Sequence, residues 1–404
     1  MLTRVEIEGF RSFGSPGVQV DLSPLNFIVG PNASGKTNFI AALRFLQNAV
    51  RQDVEFAVNE LGGAADVRNK LQRQRKFEKH LRLRICTDDE VRFPPPEDPH
   101  HITVRNFDYA LTVDLRTPDV VPVIVEEYLR ADVETEDGSK HYELKRTAEE
   151  VRISDPRPLG KPPNVIPVPE QEKSRPALAV GFFSLPSVLF RVSIEAWTFF
   201  SISPQVARQP YKAVPEATLG PFGENLSVVL HDLEVHNGKK RLSSLVAGLR
   251  GIIPGFKNVR AAQDGLEGKW VLRVAEDKIK SYLNPNSISD GTIRLLALMV
   301  IAQLGAKNGA LIAIEEPENG VHPHLCEHLV SVFRETSGES QVIATTHNPA
   351  FLDHLEPHEV LLCGKVDGFT RIRPADTCEE IKSFQKHFTL GELWVQGTFD
   401  GLLE

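Results

Sequence analysis

The octapeptide Gly30–Thr37 constrains the fold of this chain more than any other segment. It reads Gly-Pro-Asn-Ala-Ser-Gly-Lys-Thr and matches the pattern G-x-x-x-x-G-K-[ST] in full. The apolar run Leu25–Val29 predicts a buried strand before it, and the spacing of apolar residues over 38–50 predicts a helix after it. Strand, glycine loop and helix in this order favour a phosphate-binding loop over a chance glycine turn.

A loop of this kind predicts a binding site for ATP and Mg²⁺. Backbone N–H groups of the loop and the start of the following helix face the phosphates. We expect Lys36 to reach the β- and γ-phosphates and Thr37 to offer its hydroxyl to Mg²⁺. The residues predicted to bind the nucleotide here are Gly30, Pro31, Asn32, Ala33, Ser34, Gly35, Lys36, Thr37 and Asn38.

A second segment supplies paired carboxylates. The apolar run Leu311–Ile314 predicts a buried strand, and Glu315 and Glu316 follow at its carboxyl end, where ligands of parallel sheets bind. We predict that Glu315 holds Mg²⁺, directly or through water. Glu316 is the predicted general base that positions the attacking water. The alternative, an acidic loop facing solvent, is disfavoured by the phosphate-binding loop in the same chain.

Two further segments contain candidate site residues. Ser289 and Gly291 precede an apolar helix, where they either cap the helix or bind an anion, and both roles are compatible. His347 follows the predicted strand 341–344 and is placed to contact the γ-phosphate or the attacking water, although a lone histidine is more often structural.

These motifs, in this order, resemble the ABC-type ATPase heads of the SMC, RecF and OLD group. Val5–Phe13 is similar to the "I-x-N-F-R-S-F" opening of RecF-like heads, Ile288–Thr292 to the "LSDGT" signature, and Ile314–Pro323 to "IEEPENGLHP". The resemblance implies that Ser289 and Gly291 act on ATP held by a second subunit. It also implies a catalytic role for His347, which matches the switch histidine, together with Lys36 and Glu316.

The fold predicted from these segments is an α/β P-loop NTPase head of the ABC type. We expect a mostly parallel core sheet, an antiparallel β lobe and an α+β insertion, because residues 38–310 far exceed one strand–helix crossover and carry no heptads. The predicted segments are 1–60 and 285–404 for the head and 61–284 for the lobe and insertion. Alternation predicts antiparallel strands over 82–84, 101–115 and 121–133, and further strands over 269–274 and 279–283.

Composition limits the partners. The formal net charge of −8 gives no global basic field for nucleic acid, so any DNA contact needs a local patch. A local basic patch lies over Arg68–Arg84 and offers a site for DNA phosphates, although a solvated face explains these charges as well. Four scattered cysteines indicate neither a disulfide framework nor a zinc site, and no apolar run is long enough for a membrane span. We expect a cytoplasmic protein.

The resemblance leaves the purpose of the ATP cycle open between several functions. A homodimer or higher oligomer closed by ATP is expected. Only residues 348–404 follow His347, so we expect a separate effector, a nuclease or toxin, and anti-phage defence as the setting. The alternatives are an ATPase of DNA repair or recombination, and a nucleotide-gated scaffold with slow hydrolysis.

Overall fold

The computed structural model describes residues 1–71, 80–93, 102–115, 121–135, 138–154, 165–180, 184–213, 218–235, 238–264, 268–305 and 310–399. The strands are β1 Leu2–Glu8, β2 Val18–Asp21, β3 Leu25–Val29, β4 His80–Thr87, β5 Glu90–Phe93, β6 Ile102–Asp114, β7 Val123–Thr135, β8 Gly138–Thr147, β9 Glu150–Ser154, β10 Val165–Pro167, β11 Thr198–Phe200, β12 Tyr211–Lys212, β13 Phe256–Gln263, β14 Lys269–Glu276, β15 Ile312–Glu315, β16 Val342–Thr346, β17 Val360–Val366 and β18 Phe369–Pro374. The helices are α1 Lys36–Arg51, α2 Val54–Asn59, α3 Ala64–Val67, α4 Ala177–Val180, α5 Leu185–Glu195, α6 Pro204–Ala207, α7 Leu226–Val235, α8 Gly238–Ile252, α9 Asp290–Leu304, α10 Cys326–Thr336, α11 Pro349–Leu352, α12 Glu379–Phe384 and α13 Leu390–Val395.

The chain divides into two compact units. Unit 1 comprises Met1–Trp197, His358–Glu379 and Phe399–Glu404, and unit 2 comprises Thr198–Pro357 and Glu380–Thr398. The division into the segments 1–60, 61–284 and 285–404 stays a prediction. In the described part of the chain, every helix is too short or too polar to cross a lipid bilayer.

Unit 1 contains the predicted antiparallel lobe. Its strands are arranged in the order β10-β9-β8-β7-β6-β4-β1-β2, and β5 also pairs with β6. The long strands alternate in burial, with Tyr109, Leu111 and Val113 of β6 inside the core. Alternation of this kind is what an antiparallel sheet with one packed face requires. The prediction of strands over 82–84, 101–115 and 121–133 is confirmed for the described residues.

Unit 1 also holds the strand that precedes the phosphate-binding loop. All five residues of β3 are buried, and β3 pairs in parallel with β17, which pairs antiparallel with β18. Helix α1 follows the loop, and its buried side chain Gln47 donates to the carbonyl oxygens of Ile194 and Trp197 at 3.1 and 2.7 Å. These bonds satisfy carbonyls at the end of α5 and fix α1 in place.

Unit 2 contains a parallel sheet and a separate small sheet. Strands β11, β15 and β16 are parallel, with Ile312 opposite both Thr198 and Val342. The second sheet has the order β12-β14-β13 and is antiparallel. The mixed α/β fold with parallel core strands is therefore as predicted.

Two local predictions are wrong in part. Residues 279–283 form a turn with a single bridge between Leu283 and Val274 rather than a strand, because the chain leaves the sheet after β14. The prolines and charged residues of 155–176 predict an exposed loop, yet this segment contains β10, whose residues pair with β9. Residues 155–164 of that segment lie outside the described residues.

A buried ion pair ties a connecting segment to the antiparallel sheet of unit 1. Glu127 and Arg146 are almost completely buried, with Oε2 and Nη1 3.6 Å apart. Tyr109 donates to Glu127 Oε1 at 3.0 Å, and the backbone N–H of Ala177 donates to Oε2 at 2.6 Å. Arg146 donates to the carbonyl of Glu172 at 2.7 Å. Burial raises the pKa of the Glu127 carboxyl, so its charge depends on these donors.

We predict that Glu127→Ala destabilises the protein by about 3–5 kcal/mol, because the change leaves the buried Arg146 guanidinium without its counter-ion. Chemical denaturation measures the effect. The matched control is Glu126→Ala, which removes the exposed neighbouring carboxylate of the same strand and should leave stability almost unchanged. Equal losses in the two variants would contradict a structural role for the buried pair.

Candidate functional site

The phosphate-binding loop of unit 1 lies between β3 and α1. Pro31, Asn32 and Ala33 are exposed, whereas Ser34 and Lys36 are buried. The Lys36 ammonium group donates to the carbonyl oxygens of Gly30 and Pro31 at 2.7 and 3.0 Å, so the loop curls around its own lysine. Thr37 is exposed and Asn38 is half-buried at the start of α1.

Gly35 is required at the tightest point of the loop. Its φ of 120° lies in a region that L side chains rarely adopt, and a Cβ there would lie 2.1 Å from the hydroxyl oxygen of Thr370. Thr370 belongs to β18 and is completely buried. The backbone of the loop therefore rests directly on this side chain.

A chain of hydrogen bonds joins the loop to the N-terminal segment. The Thr370 hydroxyl lies 2.6 Å from the Ser34 carbonyl and 2.7 Å from the Ser12 hydroxyl, and Asn38 Nδ2 lies 2.8 Å from the same Ser12 oxygen. An amide N–H can only donate and a carbonyl can only accept, so the direction of each hydrogen bond in the chain is fixed. Asn38 donates to Ser12, Ser12 to Thr370, and Thr370 to the Ser34 carbonyl.

The loop has the chemistry of a polyphosphate site. The first turn of α1 contains no acidic residue, so the positive end of the helix dipole is not neutralised within that turn. Below the loop, Ser34 donates to the sulfur of Cys363 at 3.5 Å, and burial raises the pKa of that thiol to about 11. The thiol under the loop is therefore neutral at physiological pH and adds no negative charge beneath the phosphate site.

The carboxylates lie in unit 2 at the end of β15. The parallel register places Glu315 opposite Thr345 of β16. The backbone N–H of Glu316 continues the pairing by donating to the Thr345 carbonyl at 3.1 Å. Glu316 has a φ of 44°, a left-handed conformation that costs a residue with a Cβ about 1–3 kcal/mol.

Glu316 and His347 are brought together by this register. Glu316 Oε1 lies 3.3 Å from His347 Nδ1, an ion-pair distance without the alignment of a hydrogen bond. Asn319 donates to Glu316 Oε2 at 2.6 Å and fixes the carboxylate from its other side. Both Glu316 and His347 are partly exposed, so a reacting molecule can reach them. An acid and an imidazole in this arrangement can hold and polarise a water molecule.

A third carboxylate, Glu318, supports the histidine from within the core. Glu318 is 4% exposed, and its Oε1 accepts hydrogen bonds from the Thr346 hydroxyl and from the backbone N–H of His347, the latter at 3.3 Å. Its Oε2 has no hydrogen-bond partner among the described residues. Burial raises the pKa of the Glu318 carboxyl. The same side chain thus fixes the backbone on which His347 stands.

Ser289 caps α9, which is one of the two roles predicted for it. Its Oγ accepts from the backbone N–H of Thr292 at 3.1 Å. Arg208 holds the segment before the helix by donating to the carbonyls of Pro285 and Ile288 at 3.1 and 2.8 Å and by pairing with Asp290. A Cβ on Gly291 would lie 2.7 Å from the carbonyl oxygen of Gly320, so the signature segment lies against the turn that follows Glu318.

The basic segment Arg68–Arg84 carries less free charge than its composition suggests. Arg73, Arg75, Lys76 and Lys79 lie outside the described residues. Arg84 pairs with Asp108 at 2.8 Å and with Glu6 at 3.3 Å, and Lys70 pairs with Asp66 at 2.9 Å. DNA binding here stays a prediction that the described residues do not favour.

Sequence motifs did not reveal Thr370, Arg208 or the supporting role of Glu318. Thr370 contacts a loop more than three hundred positions away, and nothing in its neighbourhood marks it. Glu318 carried a detectable signal, because it is the third carboxylate in Glu315-Glu316-Pro317-Glu318. The sequence could not show that this carboxylate points inward.

Comparisons with known proteins agree with this architecture. A family model described as "AAA ATPase domain" matches residues 1–151. Among solved structures, an SMC head bound to the C-terminal winged-helix domain of ScpA is 15% identical with a TM-score of 0.51, over 92% of this chain and 97% of that chain. An SMC head domain from Thermotoga maritima is 14% identical with a TM-score of 0.43 over 92% and 98%. An SMC head from Pyrococcus furiosus with an extended coiled coil, bound to the C-terminal domain of ScpA, is 12% identical with a TM-score of 0.48 over 95% and 99%.

A search of curated proteins found no match to the chain. The first of the solved structures shows the fold, which is that of an ABC-type ATPase head. A second family model matches residues 130–353, more than half of the chain. The chain therefore belongs to the AAA ATPase family described as "AAA domain, putative AbiEii toxin, Type IV TA system".

Proposed function

We propose that this protein binds ATP with Mg²⁺ and hydrolyses it to ADP and phosphate. The observation that carries hydrolysis, beyond binding, is the pairing of Glu316 with His347 at the ends of two parallel strands. A strained backbone at a carboxylate that faces an imidazole is an arrangement typical of catalytic sites. Family membership and the phosphate-binding loop support ATP as the substrate.

The roles of the residues follow from their chemistry. Lys36 and the backbone N–H groups of Gly30 and of 32–38 bind the phosphates and offset their charge. The Thr37 hydroxyl and the Glu315 carboxylate are oxygen donors, the class that Mg²⁺ prefers, and bound Mg²⁺ supplies charge neutralisation to the β- and γ-phosphates. Glu316 accepts a proton from the attacking water. His347 orients that water, with Glu318 fixing its backbone.

The exposed position of Ser289 supports a dimer that is closed by ATP. Its hydroxyl caps α9 and is exposed at the start of that helix, where a phosphate of a second subunit's ATP would meet free N–H groups. In this proposal, ATP is bound between two copies of the chain.

We further propose that the ATP cycle controls a separate effector, a nuclease or toxin, in anti-phage defence in the cytoplasm. The description of the matched family refers to a toxin and a type IV toxin–antitoxin system, which supports an effector partner. An ATP-closed dimer that opens on hydrolysis gives two states that a partner can distinguish.

We expect Glu316→Gln to lower kcat by about 100- to 10,000-fold, because the amide cannot accept the proton, while ATP affinity is retained. Steady-state phosphate release and equilibrium ATP binding measure the two quantities. The control is Glu339→Gln, which makes the same charge change at an exposed position of unit 2. A Glu316→Gln variant with normal turnover would contradict hydrolysis at this site and favour a nucleotide-gated scaffold.

We expect Thr370→Val to weaken ATP binding by about 5- to 150-fold, because the Ser34 carbonyl and the Ser12 hydroxyl lose their partner beneath the loop. Isothermal titration with ATP measures this. Thr370→Ser keeps the hydroxyl and should restore affinity close to that of the wild type. Wild-type affinity in the valine variant would show that the hydrogen-bond chain does not shape the loop.

We expect Ser289→Asp to abolish ATP-dependent dimers at micromolar protein. Aspartate caps helices as well as serine, so α9 persists, but its charge repels a phosphate. Mass photometry with ATP compares Glu316→Gln with the double variant Glu316→Gln/Ser289→Asp. If the double variant dimerises to the same extent, Ser289 does not face the nucleotide of a second subunit.

A further inference from the structure

Helix α9 begins with an acidic residue at the place where the proposed dimer would bind a phosphate. Asp290 is the first residue of α9 and directly follows the capping residue Ser289. The backbone N–H groups of Asp290 and Gly291 precede that of Thr292, which donates to Ser289. Backbone N–H groups at a helix start attract an anion, whereas a carboxylate beside them repels it. The start of α9 therefore combines a favourable backbone with an unfavourable side chain.

Two side chains from α6 and its C-terminal end hold the Asp290 carboxylate. Arg208 Nη2 donates to one of the two carboxylate oxygens, and Gln205 Nε2 donates to the other at 3.3 Å. Both oxygens are thus directed toward α6. The guanidinium offsets the negative charge, because a charge-assisted hydrogen bond brings the two charges into direct contact.

The Arg208 guanidinium is itself held in place by backbone groups. Its Nε donates to the Pro285 carbonyl at 3.1 Å, and its Nη2 donates to the Ile288 carbonyl at 2.8 Å. The Arg208 side chain is only 14% exposed, whereas that of Asp290 is 50% exposed. Exposed ion pairs are weak in part because two long side chains must be ordered to form them. Here the arginine is already ordered, so the pair loses less conformational entropy.

The stability of α9 does not account for this pair. An acid in the first turn of a helix is already stabilised by the helix dipole, and a cation near the same end is opposed by it. Ser289 supplies the cap, so α9 has its N-terminal hydrogen bond without Arg208. Pairing Asp290 with Arg208 changes instead the charge that an approaching anion meets.

We propose that Arg208 is a positioning residue for the ATP of a second subunit, because it neutralises Asp290 and turns the carboxylate away from the phosphate. This role rests on the ATP-closed dimer proposed above. Arg208 acts through Asp290 and through the backbone before α9, and it does not contact the nucleotide. The N–H groups at the start of α9 then face the phosphate without an opposing charge beside them.

Mass photometry of the Glu316→Gln variant with ATP, over a range of protein concentrations, tests this role. Adding Arg208→Gln should weaken ATP-dependent dimerisation by about tenfold or more, because the Asp290 charge is then unopposed. Adding Asp290→Asn to that double variant should restore dimerisation to within about threefold, because the two changes act on one charge. A purely structural role would not be rescued in this way, since the bonds to the Pro285 and Ile288 carbonyls stay lost.

The matched control is Arg250→Gln, which removes the same charge and a donor to the Lys257 carbonyl at an exposed position of α8. It should leave dimerisation unchanged. Asp290→Asn with Arg208 intact should dimerise at least as tightly as the parent, because an amide at the helix start does not repel a phosphate. This variant keeps the bonds of Arg208 to the backbone, so it tests the charge even if Arg208→Gln folds poorly.

Four results would overturn the role of Arg208. They are dimers of normal affinity in Arg208→Gln, no rescue by Asp290→Asn, weaker dimers in Asp290→Asn alone, and an equal loss in Arg250→Gln. The last would assign the effect to overall charge. Absence of ATP-dependent dimers in Glu316→Gln itself is a different result, which contradicts the proposed dimer and the role of Arg208 with it.

Discussion

The parallel register of β15 and β16 is the constraint on which the candidate catalytic centre depends. This register sets Glu315 opposite Thr345. The next backbone hydrogen bond, from the N–H of Glu316 to the Thr345 carbonyl, extends the pairing one residue beyond β15. A shift by one residue would turn every side chain to the other face. Consecutive residues of both strands are buried, so both faces are packed and such a shift would force side chains of different size into each face. Close packing of the core thereby fixes the distance between Glu316 and His347.

Buried charge is tolerated in this protein where donors converge on it. Glu127 receives hydrogen bonds from a tyrosine and from two backbone N–H groups besides its ion pair with Arg146. Glu318 is less completely satisfied, since one oxygen has no hydrogen-bond partner among the described residues. A structural carboxylate is expected to be fully bonded, whereas an incompletely bonded one next to His347 can respond to a change in charge at that residue. Glu127 therefore stabilises the fold, whereas Glu318 belongs to the candidate site.

The sequence was informative where the chemistry is local. The loop Gly30–Thr37, the pair Glu315–Glu316 and the cap at Ser289 each depend on residues within a few positions, and the structure places each at the end of the predicted strand or helix. The residues that shape these segments come from elsewhere in the chain. Thr370 supports the loop from β18, and Arg208 holds the signature segment from the end of α6. Contacts across such sequence separations leave no periodic pattern, so one sequence could not reveal them.

The left-handed backbone of Glu316 is an unfavourable local structure at the centre of the candidate site. The left-handed backbone of Glu316 is held by hydrogen bonds to Thr345 and Asn319, so its strain is offset inside the fold. Strain that is held by several hydrogen bonds persists where it serves a site, and here it places the Glu316 carboxylate beside the imidazole of His347.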